Sequence, residues 1–351
     1  MRRRGRRVDS RIDVVGDVAQ AVSTGALPGW DQVEELVVAA HARYADDSSG
    51  VLADYIPVLA QADPAAFGVC VVDADGREHA AGATTTRFSI QSISKAFVYA
   101  LVSERLGHAH LRERIGVDNT GLAFNSVMAV ELHGGHPRNP MVNAGAIATT
   151  ALVEGDGPDE QWEAVVDGLS RFAGRRLEVD EVVYTSEAAT NSRNKAIARL
   201  LESYGRIEAD PLDVVDVYTR QCSLLVDAHD LAVMGATLAD GGVNPVTGER
   251  VVSEQVATDT LAVLASTGMY ERSGEWLFDV GLPAKSGVAG GIVAVSPGKG
   301  AIGTYSPLLD PAGNSVRGQR ATAYLSRALG LNVFASSVHV PTRPTSPEEP
   351  A

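Results

Sequence analysis

A serine and a lysine three positions apart have the residue types and the spacing for nucleophilic catalysis. Ser92 and Lys95 fall within residues 88–101, where apolar and small residues recur at helical intervals. Side chains three apart share one face of a helix, so the lysine can reach the serine. A lysine amine shielded from water has a lowered pKa and can take the proton of a serine hydroxyl. The same spacing also fits an ordinary helix start with a solvated lysine, so it predicts catalysis only together with other motifs.

A second motif, Lys285-Ser-Gly287, opens a glycine-rich run that is typical of a strand approached closely by other backbone. S-x-x-K at a helix start followed by K-[ST]-G on a strand is the signature of serine acyl-transfer enzymes of the penicillin-recognising type. A solvated lysine at a strand edge is the plainer interpretation of this motif. The chain departs from that type because no S-D-N or Y-x-N triplet lies between the motifs and no apolar secretion signal follows its arginine-rich start.

Three longer runs give the chain a more specific resemblance. Ser92-Ile-Ser-Lys95, residues 139–147 and residues 282–291 are together similar to the motifs of the glutaminase family, in the same order. The resemblance covers roughly residues 30–331, with further short matches at 54–57, 186–187, 193–194, 218, 221–223, 268–270 and 313–315. It implies a β-lactamase-like fold and the hydrolysis of L-glutamine to L-glutamate and ammonia, with neither a metal nor an organic cofactor.

The resemblance also implies a role for each matching side chain. Ser92 would be the nucleophile and Lys95 its general base, and either Tyr218 or Tyr270 would relay a proton to the departing ammonia. The backbone N–H groups of Ser92 and Val288 would form the oxyanion hole. The residues expected to contact the substrate are Tyr55, Ser92, Asn143, Glu187, Asn194, Tyr218, Tyr270 and Val288.

The chemistry of glutamine fits this assignment. Its ammonium group needs a carboxylate, for which Glu187 is the candidate, and its carboxylate needs donors such as Asn143 and Asn194. Purely structural roles remain open for these side chains, as core tyrosines, a turn asparagine and a helix-surface asparagine. For catalysis we expect Lys95 to be buried and at least partly neutral.

Two other functions remain open on the sequence. One is a different serine amidase or β-lactamase-like hydrolase on the same fold, and the other is a non-catalytic sensor that keeps an amino-acid pocket. The net charge of -14 argues against general binding to nucleic acid or anionic membranes, although the arginines in residues 1–7 could form a basic arm. His133 and His136 flank Gly134-Gly135, which favours a surface turn over a metal site.

Compartment and partners follow from simpler features. Cys70 and Cys222 are the only cysteines, and each lies in an apolar run, so we expect buried thiols in a reducing, cytoplasmic setting. No apolar stretch is long enough to cross a membrane. The partners implied are the small-molecule substrate L-glutamine and, from the resemblance, other copies of the chain in a homodimer or homotetramer. Neither nucleic acid nor a membrane is expected.

Hydrophobic periodicity predicts the elements that must position these residues. The predicted strands are 67–72, a hairpin partner ending at Gly82, 276–280, 287–295 and 300–306, and the predicted helices are 30–44, 161–172, 192–204, 211–222, 228–239, 253–265 and 314–331. Residues 102–241 show no convincing strand, and loops are predicted at 119–125 and 134–143.

This order of elements predicts an α+β fold of the β-lactamase-like type. An antiparallel sheet is built from both ends of the chain, with flanking helices and an inserted all-helical subdomain. We expect a disordered or arm-like segment at 1–25, a single catalytic domain at 26–335 and a disordered tail at 336–351. Within the domain, 26–101 and 250–335 would form the α/β part and 102–249 the helical part.

Overall fold

A computed structural model describes residues 27–54 and 56–336 of the chain. Tyr55, the predicted arm at 1–25 and the tail from residue 337 onward therefore lie outside the described residues. The described strands are β1 (Gly68–Asp73), β2 (Glu78–Gly82), β3 (Phe88–Ser89), β4 (Glu178–Val179), β5 (Leu224–Val226), β6 (Ala284–Ser286), β7 (Gly291–Ser296) and β8 (Gly300–Tyr305).

The described helices surround two sheets. They are α1 (Trp30–Tyr44), α2 (Ser94–Leu106), α3 (His108–Arg114), α4 (Met128–Glu131), α5 (Asn143–Thr150), α6 (Pro158–Ala173), α7 (Glu181–Thr190), α8 (Ser192–Ser203), α9 (Pro211–Cys222), α10 (Ala228–Ala239), α11 (Glu254–Thr267), α12 (Ser273–Asp279) and α13 (Val316–Ala328). None of these helices combines the length and the apolar character that a membrane span requires.

The main sheet has five antiparallel strands in the order β2-β1-β8-β7-β6, so it joins the two ends of the described chain as predicted. Alternate residues of β1 enter different cores because successive side chains of a strand point to opposite faces. Val69 and Val71 pack with α1 and α13, whereas Cys70 and Val72 pack in the larger core with α10. The sheet is therefore buried on both faces, and β6 lies at its edge, paired with β7.

A second sheet, in the order β3-β5-β4, corrects the prediction that residues 102–241 contain no strand. Its strands are only two or three residues long and lie directly beside helices, so helical periodicity hides them in the sequence. The pairing of Phe88 with Val226 and of Ser89 with Leu225 attaches the segment before Ser92 to the helical part of the chain.

Other predictions were confirmed or proved wrong in particular places. The helices at 30–44, 211–222 and 228–239 are confirmed with the same boundaries. The predicted strand at 276–280 is wrong, because this stretch belongs to α12. Trp276 is buried, and its Nε1 donates to the Leu282 carbonyl at 2.7 Å, whereas Phe278 is 88% exposed. Trp276 and Phe278 are two positions apart, which is the spacing of apolar residues in a strand, so the sequence pattern was misleading here. The predicted strand at 287–295 starts too early: residues 287–290 form the turn between β6 and β7, and residues 291–295 belong to β7.

A buried arginine ties α13 to the segments around it. The Arg317 side chain is 2% exposed, and its five N–H groups donate to the Ser306 hydroxyl and to the carbonyls of Ala45, Pro64, Ala65 and Ala66. A planar guanidinium can satisfy all of its donors at once in this way. Burial lowers the pKa of Arg317 from its usual value, but the side chain remains a cation at neutral pH.

We predict that Arg317→Met lowers the free energy of unfolding by at least about 3 kcal/mol, because several buried acceptors lose their donor at roughly 1 kcal/mol or more each. Urea denaturation measures the change. Arg320→Met on the same helix is the matched control, since Arg320 pairs with Asp47 at a partly exposed position and its loss should cost under about 1 kcal/mol. Equal losses in the two variants would contradict this interpretation of Arg317.

Candidate active site

A cavity of about 450 Å³ lies where α5, α7, α8 and α9 meet the turn that precedes α2. Its wall contains four of the residues predicted to contact the substrate, together with the predicted nucleophile. They are Asn143, Glu187, Asn194, Tyr218 and Ser92, with Gln91 beside the serine. Lys95, Tyr270 and Val288 contact this group from behind the wall, as described below. The described structure thus brings together every predicted site residue except Tyr55, which lies outside it.

Ser92 lies in a single 3₁₀ turn, Gln91–Ile93, that leads directly into α2. The predicted helix start is therefore confirmed, with the nucleophile on the turn and Lys95 on the first turn of the helix. Gln91 has a φ of +51°, which is uncommon for a residue with a side chain and is held only where the surroundings enforce it. Gly287 packs against this turn so closely that an added Cβ would lie 2.8 Å from the Ile90 carbonyl oxygen.

Lys95 is 1% exposed, so its predicted burial is confirmed. Its Nζ donates to the Asn143 Oδ1 at 2.7 Å and to the Met141 carbonyl at 3.2 Å. Burial lowers the pKa of Lys95 from 10.5 to about 8, while the nearby Cys222 and Glu187 act in the opposite direction. A neutral amine has two N–H donors and one lone pair. The two acceptors take both donors, which leaves the lone pair for a proton from Ser92. No hydrogen bond joins Lys95 to Ser92 among the described residues, so proton transfer requires a movement of one side chain or a bridging water.

The Asn143 side chain links Lys95 to Asn194 in the cavity wall through two hydrogen bonds. Because its Oδ1 faces the lysine, its Nδ2 faces the other way and donates to the Asn194 Oδ1 at 2.9 Å. The Nδ2 of Asn194 is then left as a donor in the cavity wall. Helix α5 can place Asn143 here because Gly145 has no side chain, since a Cβ would lie 1.8 Å from the Asn139 carbonyl oxygen.

Glu187 is the carboxylate of the cavity, and it is 8% exposed. Burial raises its pKa from 4.5 to about 7, although the Gln91 hydrogen bond and the charge of Lys95 both lower it. The Gln91 Nε2 donates to the Glu187 Oε2 at 3.2 Å and also lies 3.2 Å from the Ser89 hydroxyl, its acceptor. Gln91 therefore directly precedes Ser92 in the chain and also orients the Glu187 carboxylate.

The two predicted tyrosines occupy different places. The Tyr270 hydroxyl is within hydrogen-bonding reach of Ser92 and donates to the Ser286 carbonyl at 3.2 Å. Burial raises its pKa to about 12, so it keeps its proton at neutral pH. Tyr218 lines the cavity, and its ring centroid is 6.0 Å from the Lys95 Nζ. Burial also raises the pKa of Tyr218 well above its usual value.

Lys285 of the second motif and the nearby Val288 both lie against Tyr270 at the site. The Lys285 Nζ lies 4.3 Å from the Tyr270 ring centroid and donates to the Ser286 carbonyl at 2.8 Å. Burial, followed by repulsion from Lys95, lowers the pKa of Lys285 well below its usual value. Val288 packs against Tyr270, and its backbone N–H has no hydrogen-bond acceptor within the described chain. An unpaired N–H in the turn after β6, which packs against the segment that carries Ser92, is suited to an oxyanion hole.

Only one group of side chains in the described ranges, Asp227, His229 and Asp230, has a spacing that could hold a metal ion. Asp227 and Asp230 already cap the start of α10, and Asp230 also forms a two-bond ion pair with Arg175. His229 is paired with Glu78 at 3.4 Å. These contacts account for the group as a structural feature outside the cavity.

Several residues at the cavity were not identified from the sequence, among them Gln91, Phe124 and Cys222. Gln91 could have been suspected from its position next to the nucleophile, but its positive φ has no signal in the sequence. Phe124 falls in a predicted loop, yet its ring lies 4.7 Å from that of Tyr270. Cys222 was expected to be a buried thiol, which is confirmed, and it also lines the cavity. Burial raises its pKa to about 12, so it is a thiol and not a thiolate.

We predict that the Glu187 carboxyl titrates near pH 7 in the free protein, as measured by carbon-13 NMR of labelled glutamate side chains. Gln91→Asn should raise this pKa further, because asparagine tolerates the positive φ but its amide is too short to reach Glu187. Ser89→Ala is the control, since it removes the other partner of Gln91 and keeps the bond to Glu187. An unchanged Glu187 titration in Gln91→Asn would contradict this role.

Comparison with known proteins agrees with the geometry. The family model described as Glutaminase matches residues 50–334. Glutaminase 2 of Yersinia pestis is 54% identical over 315 residues, which cover 90% of this chain and 93% of that protein. A glutaminase of Mycobacterium ulcerans is 50% identical over 303 residues, which cover 86% and 95%. The solved structure of the probable glutaminase ybaS has a TM-score of 0.87 at 44% identity, covering 88% of this chain and all of that chain, and its likeness extends to the β-lactamase-like sheet arrangement described above. On these grounds the chain belongs to the glutaminase family.

Proposed function

We propose that this protein hydrolyses L-glutamine to L-glutamate and ammonia through an acyl-enzyme on Ser92. The observation that carries the proposal is the dry amine of Lys95, whose two acceptors leave its lone pair available beside a cavity that contains a serine hydroxyl. Membership of the glutaminase family supports the choice of substrate. A structure of Mglu in its glutamate form matches this chain with a TM-score of 0.83 at 41% identity, over 87% of this chain and 70% of that one.

In the first step, Lys95 takes the proton of the Ser92 hydroxyl and the Oγ attacks the side-chain amide carbon of glutamine. The negative charge passes to the carbonyl oxygen, where the N–H groups of Ser92 and Val288 stabilise it. The C–N bond then breaks, the nitrogen takes up a proton, and ammonia leaves a glutamyl ester on Ser92. Water attacks this ester in the second step, gives a proton to Lys95 and releases glutamate. The proton finally returns to the Ser92 oxygen.

Tyr270 is the better candidate for the proton relay. Its hydroxyl lies within reach of Ser92 and keeps its proton at neutral pH, so it can donate to the leaving nitrogen and be reprotonated from Lys95. The Tyr218 ring faces the Lys95 Nζ and forms part of the cavity wall.

Recognition of the substrate follows from the charges in the cavity. Glu187 would bind the ammonium group, and its pKa of about 7 means that the carboxylate is only partly ionised before the ligand arrives. Asn194 offers its free Nδ2 to the carboxylate of the substrate, with Asn143 fixing its orientation. We also assign Tyr55 to the substrate, from the family resemblance alone.

The proposal includes a cytoplasmic location and a homodimer or homotetramer. Two buried free thiols at Cys70 and Cys222 support a reducing compartment. Size-exclusion chromatography with light scattering measures the oligomeric state directly.

We predict that Ser92→Ala reduces ammonia release from glutamine by roughly 10⁴-fold or more, because no other group can form the ester. Ser103→Ala is the control, since Ser103 lies on α2 about 16 Å along the helix axis from Ser92 and should keep normal turnover. Assaying asparagine and a fluorescent penicillin beside glutamine tests other hydrolase activities. Near-normal glutamine turnover by Ser92→Ala, or binding of glutamine by the parent protein without turnover, would contradict the proposal.

The pH dependence of kcat/KM provides a separate prediction. Activity should rise with pH through the interval from about 7 to about 8, because Glu187 must be ionised and Lys95 must be neutral. Lys95→Arg should remove the activity at every pH, since a guanidinium does not lose its proton in this range. A rate that is independent of pH across this interval would contradict the assigned base.

A further inference from the structure

Asn191 lies at the junction between α7 and α8, in the wall of the cavity, and is not among the predicted site residues. It is 8% exposed. As the residue directly after α7, it comes four positions after Glu187, so the two side chains leave the helix on the same face. It begins α8 without capping that helix through its side chain, so capping does not account for its amide.

The orientation of the Asn191 amide is fixed by its neighbour on α9. The Thr219 hydroxyl donates its only hydrogen to the Val215 carbonyl at 2.7 Å, so its oxygen can act only as an acceptor towards Asn191. The Asn191 Nδ2 therefore faces Thr219 and donates to it at 3.1 Å. The Oδ1 must then point away from Thr219.

This amide oxygen is buried and has no hydrogen-bond partner within the described chain. Buried polar atoms of folded proteins are nearly always paired, and an exception in the wall of a ligand cavity is typical of a group whose partner comes with the ligand. An oxygen acceptor on the same helix face as a carboxylate suits a ligand group with several N–H donors and a positive charge. A primary ammonium has three such donors, and Glu187 alone does not satisfy them.

We propose that the Asn191 Oδ1 is a second acceptor for the α-ammonium group of the substrate and so helps to select free amino acids. The inference rests on the proposed function, because it concerns the same cavity and the same substrate. The ammonium would donate one hydrogen to Glu187 and another to Asn191, and the amide would gain the partner it lacks in the free protein. Analogues without the ammonium group would gain nothing from Asn191.

The test compares two substrates in one assay, L-glutamine and its des-amino analogue 5-amino-5-oxopentanoic acid. Asn191→Leu keeps a similar side-chain volume without the acceptor. It should reduce kcat/KM for glutamine roughly ten- to a hundredfold, mainly through KM, and change it by no more than about twofold for the des-amino analogue. Thr219→Val is the matched control, because it removes the same Asn191–Thr219 hydrogen bond and keeps the Oδ1. Its preference for glutamine over the analogue should stay within about threefold of that of the parent protein.

A binding measurement separates this inference from the proposed function. Calorimetry measures the affinities of L-glutamate and of glutarate, which lacks the ammonium group. The two affinities are compared in the Ser92→Ala protein and in the double variant that also carries Asn191→Leu. Loss of the preference for glutamate supports the contact even if ammonia release is never detected. Asn191→Ala replaces the leucine variant if thermal unfolding shows that leucine is not accommodated. Equal weakening of both ligands, or an unchanged preference for glutamate, would overturn the proposal.

Discussion

The exclusion of water from the Lys95 amine is the constraint on which the rest of the site depends. A solvated lysine holds its proton at neutral pH and cannot act as a base. Burial makes the neutral form accessible, and the fixed acceptors Met141 and Asn143 direct its two N–H groups away from the serine. The same dry surroundings lower the pKa of Lys285, and repulsion from Lys95 adds to that effect.

The fold supplies this dry site from segments that are far apart in the sequence. The main sheet carries Lys285 on its edge strand β6 and Val288 in the turn that follows, and the small sheet holds the segment before Ser92 against the helical part. A close approach at Gly145 lets α5 pack against the Asn139 carbonyl, and one at Gly287 lets the turn after β6 pack against Ile90, just before the nucleophile. The positive φ values of Gln91 and Tyr270 indicate that packing, and not local preference, sets the backbone on both sides of Ser92.

The candidate catalytic residues of this chain could be predicted from its sequence more reliably than its short strands and helices could. Ser92, Lys95 and the second motif could be recognised because their types and spacing have a chemical meaning, and long amphipathic helices such as α9 and α10 follow the helical period closely. The strands β4 and β5 could not be found, since two or three residues carry no periodicity. The α12 region was misassigned because Phe278 is apolar yet exposed. The contact between Gln91 and Glu187 joins residues 96 positions apart, which no local pattern can predict.

The titration of Lys95 itself tests most directly whether this side chain is the base. Carbon-13 NMR of protein labelled at lysine, with the Lys95 resonance assigned from the spectrum of Lys95→Arg, follows the Cε shift as the pH is raised. We expect a midpoint near pH 8, because the amine is held out of water. A midpoint near 10.5, the ordinary value for a lysine, would show that Lys95 stays protonated under working conditions and would contradict its role as the base.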